Sequence, residues 1–145
     1  MTVQTATATV WTSRAGDTPA ALADLFRQAA KLIGAEGYSP CADGIFVHTR
    51  RHGHSVTTAL DAAAAFTCEH HLADAADLAE DAHARLAGFL HLTGLRTRRT
   101  SIYDLCDEVA AWEDCRPGVG YRTAAEVLAM LDGAARVLDV LGGAP

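Results

Sequence analysis

Apolar residues recur in this chain at the spacing of an α-helix, and that period limits its fold more than any other feature. Over 18–37, Leu22, Leu25, Phe26, Ala29, Leu32 and Ile33 fall on one stripe. Asp24, Arg27, Gln28 and Lys31 fall off it. A stripe of that width buries one face of a helix and leaves the other in water. Thr18 is placed to cap the free N–H groups of the first turn, and Pro19 has no N–H to leave orphaned there. Gly34 or Gly37 supplies the stop.

The same period returns along the chain. Ser55 caps a helix carrying Val56, Ala59, Leu60, Ala63 and Ala64, which runs to about Phe66. A third helix covers roughly His70 to Leu92, with Leu72, Ala75, Ala79, Ala82, Leu86 and Phe89 as its buried stripe. Its acidic first half (Glu69, Asp74, Asp77, Glu80, Asp81) suits a helix N-terminus, and Asp81 and Arg85 stand four apart as a supporting charge pair. Ser101 and Asp104 resemble a capping box ahead of Ile102, Leu105, Val109 and Trp112. Thr123-x-x-Glu126 is a full capping box and opens a last helix with Val127, Leu128, Leu131, Ala135 and Leu138 inside. The expectation is an all-α single domain over 18–143, a bundle of about five helices, with 1–17 as a flexible tail. The β-prone run "IFVHT", flanked by turn residues, adds a short β-hairpin between the first two helices.

Composition excludes several functions. A chain of 145 residues, half of them apolar, buries one ordinary core without disulfide or metal staples. The net charge of −6 offers no basic face for nucleic acid, and "RTRR" at 96–99 reads as a solvated loop. No run approaches the ~18 apolar residues of a membrane helix, and the first residues lack the basic-then-apolar pattern of a secretory leader. A cytoplasmic protein is expected, with no membrane partner. Cys41, Cys68, Cys106 and Cys115 form no C-x-x-C pair and read as reduced thiols.

Chemistry concentrates in "CADGIFVHTRRHGHSV". Cys41, His48, His52 and His54 could ligate a metal, since thiolates and neutral imidazoles are its usual protein ligands. Arg50 and Arg51 among them would repel a cation, so a solvated polar loop is the expected reading. Cys68, Glu69, His70 and His71 form a second cluster at a helix junction. Were the two clusters to meet, His52, His54, His70 and His71 would be candidates for general acid–base chemistry, with Glu69 or Asp114 orienting them. Glu80-x-x-His83 has the spacing of a di-iron bundle motif but lacks its second copy, and reads as a partly exposed contact. Near the last turn, Trp112 packs, Asp114 accepts backbone N–H bonds and Arg122 pairs with it. In a functional reading Arg122 anchors a carboxylate or phosphate beside a helix N-terminus. Trp112, Asp114, Arg122 and Tyr38 are the ligand-binding candidates. No Walker loop, GxGxxG, GxSxG or HExxH occurs, and no cofactor is expected.

Both ends of the core resemble an uncharacterised family of small actinobacterial and phage proteins. "ALADLFRQAAKLIGAEGY" matches its opening helix, closed by Gly37 and Tyr38. "WEDCRPGVGYRTAAEVLAMLDGAARVL" matches its close, a W-N-D turn followed by R-T-x-x-E/D-V, through Trp112, Asp114, Arg122, Thr123, Glu126 and Val127. "SVTTALDAAA" resembles the helix between them. Glu113 stands where the family usually has Asn, and Thr58 where it tends to have Gly. The resemblance implies a fold and brings no activity with it.

Three classes of function are therefore expected. The first is a small helical binding or accessory protein that holds a small ligand or a protein partner. The second is a small enzyme using histidine acid–base chemistry without an organic cofactor. The third is a metal-binding protein using the same histidines with Cys41 or Cys68. Homodimerisation through an alanine-rich face fits each of them.

Overall fold

The computed structural model describes residues 18–40, 53–68, 72–93, 105–114 and 121–143. Five helices account for nearly all of them: α1 (Pro19–Glu36), α2 (Val56–Thr67), α3 (Leu72–Leu92), α4 (Leu105–Asp114) and α5 (Ala124–Gly143). The fold is all-α, with no strand among the described residues.

The capping residues act as their positions demand. Thr18 Oγ1 accepts the Ala21 N–H at 3.1 Å, with Pro19 in the first turn. Gly37, not Gly34, ends α1: at φ +99° it donates its N–H to the Ile33 carbonyl at 2.9 Å. Ser55 and Thr58 cap α2 reciprocally, with Thr58 N–H on Ser55 Oγ at 3.2 Å and Ser55 N–H on Thr58 Oγ1 at 2.8 Å. This box uses threonine where Glu or Gln is usual. Thr123 and Glu126 form the box expected of them at the start of α5. Each such cap stabilises its helix by about 1 kcal/mol.

One core joins the helices. α1 packs most extensively on α5, α2 lies against α1 and α3, and α3 carries α4. Leu22, Leu25, Phe26, Ala29, Leu60, Leu86, Leu131 and Leu138 are buried at its centre. The α1–α5 pair is close and antiparallel. A Cβ on Gly142 would stand 2.6 Å from Pro19 Cβ, and Arg27 forks onto the Asp139 carboxylate, with Nη1 3.2 Å from Oδ1. No helix among the described residues is long and apolar enough to cross a membrane.

Two expectations need correction. The hairpin between α1 and α2 is not supported. Tyr38 and His54, at the two ends of the segment assigned to it, pair instead as a single parallel bridge. Residues 41–52 between them, with "IFVHT", lie outside the described set. The polar face of α3 is also not uniformly solvated. His83, expected at the partly exposed edge, is buried, and so are Asp81 and Arg85. His83 Nδ1 donates to the Ala79 carbonyl one turn back at 2.7 Å. α3 packs chiefly against α2 and α4 and also touches α5 and α1, so more than one of its faces is covered.

Candidate functional site

The site is built where α1 stops and α2 starts. Gly37 turns the chain at a positive φ, and its carbonyl accepts the His54 N–H at 2.9 Å. The His54 carbonyl accepts the Ser39 N–H at 2.9 Å. Gly53 makes this closeness attainable. Its φ is +76°, and a Cβ there would lie 2.5 Å from the Gly37 carbonyl oxygen. Only glycine combines that torsion with that approach. The bridge holds the His54 ring beside the last turn of α1, where its Nε2 is hydrogen-bonded to Glu36 Oε2. The His54 side chain is 1% exposed and that of Glu36 29%.

Glu36 occupies a place where the helix dipole disfavours a negative charge, the last turn of α1. A carboxylate there gains most from a hydrogen-bonded partner, and His54 provides one. Beside this pair lies a cleft of about 430 Å³ between α1 and α2. Leu32, Ala35, Ala62, Ala63 and Phe66 make its walls, His54 and Glu36 one end, and Gln28 and Lys31 part of the rim. Phe66, 76% exposed, stands at the opening. An apolar cleft of this size with few polar groups is the usual form of a small-molecule site.

His54 is the single residue of the expected histidine set that the structure describes. His52, His70 and His71, with Cys41 and His48 of the metal set, lie outside the described residues. The convergence of the two clusters therefore falls outside them as well. Among the described residues no group of three or more His, Cys, Asp or Glu side chains could hold a metal ion. Glu80 is exposed while His83 is buried, so the two do not share an environment.

The expected ligand-binding residues fall in two places. Tyr38 is half-buried against the core beside His54. Trp112 is buried on α4, and the Arg122 guanidinium stacks on its ring, 4.8 Å from the centroid. Arg122 Nε donates to the Trp112 carbonyl at 3.0 Å, Nη1 lies 3.4 Å from Glu126, and the Arg122 N–H meets the Glu113 carbonyl at 2.8 Å. Glu126 is thus a partner of Arg122. Of Asp114 the structure describes the helical backbone alone. Glu113, buried, accepts the Val56 N–H at 3.1 Å. The last turn of α4 therefore supports the start of α2, two residues beyond His54.

Sequence reasoning missed Glu36 and the cleft. The signal for Glu36 was present, an acidic residue at a helix C-terminus just before a terminating glycine. The cleft walls carry no such signal, because alanines at helical spacing read as core.

No curated protein and no solved structure matches the chain. A family model described as a family of unknown function (DUF6197) matches residues 7–137. With that match spanning most of its length, the chain belongs to this family of unknown function.

Proposed function

We propose that the protein is a small-molecule binding protein and that the α1–α2 cleft is its site. The observation that carries this reading is the cleft itself: about 430 Å³ of mostly apolar wall, closed at one end by the His54–Glu36 pair. The pair is held by a helix end, a parallel bridge and a capped helix start, so its geometry exists before any ligand arrives. Such preorganisation lowers the ordering cost of binding. Calorimetry with 4-phenylbutyramide, a neutral probe of suitable size, tests the reading in wild type and Ala62→Trp. Ala62 is half-buried on the cleft wall, so an indole there fills the cleft. The expected result is saturable binding that weakens at least about ten-fold in Ala62→Trp at unchanged helicity, since a filled pocket cannot bury the ligand. Equal affinity in the two proteins overturns the assignment.

The same pair favours a second reading, a hydrolytic enzyme in which Glu36 orients His54 for acid–base chemistry. In that reading the protein hydrolyses 4-nitrophenyl acetate above the solution rate, and both His54→Gln and Glu36→Gln lose the excess. An unchanged rate in the variants contradicts it.

A further inference from the structure

We infer that the cleft takes a small molecule with an apolar body and a carboxylate end, and that the carboxylate pairs with Lys31. This inference rests on the binding reading above and adds the chemistry of the ligand.

The two charged side chains at the cleft differ in kind. Glu36 is engaged, its Oε2 bonded to His54. Lys31 is not: among the described residues its ammonium has neither an ion-pair nor a hydrogen-bond partner. Lys31 is also the only lysine of the chain. It sits on the same face of α1 as Gln28, Leu32 and Ala35, which line the cleft with it. A ligand lying along Leu32, Ala63 and Phe66 can therefore bring its end to a cation that no carboxylate among the described residues occupies.

The rest of the cleft argues against other ends. A cationic end would meet Lys31 as a like charge. A neutral polar end would gain nothing from the ammonium that water does not supply. The carboxylate gains an ion pair at the rim, where exposed pairs change affinity by a modest factor, about three- to five-fold, and are weakened by salt. The apolar body supplies most of the affinity and the charge supplies the preference.

The test compares 4-phenylbutyrate with its near-isosteric neutral partner 4-phenylbutyramide. Both are titrated by NMR into wild type, Lys31→Met and Lys31→Arg at low and high salt. Lys31 is exposed, so Met retains the apolar stem and the fold. The inference expects the carboxylate to bind about three- to five-fold more tightly than the amide in wild type and Lys31→Arg. It expects the preference to vanish in Lys31→Met and to shrink with salt. Equal binding of acid and amide in wild type, with shifts at Leu32, Ala62 and Phe66, overturns the inference and leaves the cleft as a binding site. A carboxylate preference that survives Lys31→Met also overturns it, because the charge then acts elsewhere. Failure of both probes to shift those residues overturns the inference together with the binding reading.

Discussion

The Glu113 carboxylate accepts the Val56 N–H at 3.1 Å, so α4 satisfies one of the donors that the start of α2 leaves open. The contact is buried, and it places a negative group at a helix N-terminus, where the dipole favours it. In Glu113→Ala the donor stays buried without this acceptor. The expected loss is about 1–3 kcal/mol of unfolding free energy, read from urea titration. Glu113→Gln keeps an acceptor oxygen and is expected to lose less. A neutral alanine variant would show that the contact contributes nothing.

Gly53 and Gly34 are expected to respond to alanine with opposite signs. At Gly53 the new Cβ would meet the Gly37 carbonyl group at 2.5–2.6 Å at a φ of +76°. Gly53→Ala should break the Tyr38–His54 bridge and cost about 1–3 kcal/mol. The slow amide exchange expected at His54 and Ser39 should be lost with it. Gly34 lies inside α1 with nothing within 4 Å of an added Cβ. Gly34→Ala should stabilise by about 0.5–1 kcal/mol. Thermal melts of the two variants separate the outcomes, and a shift of the same sign in both contradicts the bridge geometry.

Arg122 holds the turn before α5 through its shape as well as its charge. Its planar group stacks on Trp112 while Nε reaches the Trp112 carbonyl at 3.0 Å. Lysine keeps the charge and loses both contacts. Arg122→Lys is expected to destabilise by about 1–2 kcal/mol. Ligand affinity in the α1–α2 cleft should stay unchanged. A lysine variant with wild-type stability but lost probe binding would instead move the site to this turn.

Two aspartates give opposite pH signatures. Hydrogen bonding to Arg27 lowers the Asp139 carboxyl below its ordinary range. Its contribution is present above the unfolded-state value and is lost as pH falls through the folded one. Partial desolvation at the helix surface raises the Asp61 carboxyl although the residue reaches solvent, and the nearby His83 partly offsets this. Its contribution is fully present below the unfolded-state value and lost as pH rises through the folded one. Asp139→Asn should therefore lower Tm at neutral pH and converge with wild type in acid. Asp61→Asn should raise Tm at neutral pH and lose that advantage in acid. Melts across the carboxylate range check both, and a Tm rise at neutral pH in Asp139→Asn would contradict the Arg27 contact.

The sequence pattern showed what depends on a single helix. Thr18, Ser55 and Thr123 cap as expected, and every residue of the α2 stripe (Val56, Ala59, Leu60, Ala63, Ala64) is buried. What depends on a second neighbour was not legible. Asp81, His83 and Arg85 flank the α3 stripe, and their burial depends on the packing of neighbouring helices around α3. The resemblance to an uncharacterised family holds at the level of the family. In its Trp112–Arg122 segment the packing role expected of Trp112 is seen, with Arg122 on its ring and its carbonyl, and Glu113 supports the start of α2. The loop spacing points to His54, and the structure pairs its ring with Glu36, brought close by two glycines. A one-residue parallel bridge has no period, so no reading of spacing could find it.

The most direct measurement on the central claim is the set of intermolecular nuclear Overhauser effects from a bound aromatic probe, 4-phenylbutyramide, to the protein. The account predicts contacts from the phenyl ring to Leu32, Ala62 and Phe66, on the two walls of the cleft. Contacts confined to other exposed apolar residues, such as Leu92, Val140 and Leu141, would contradict it.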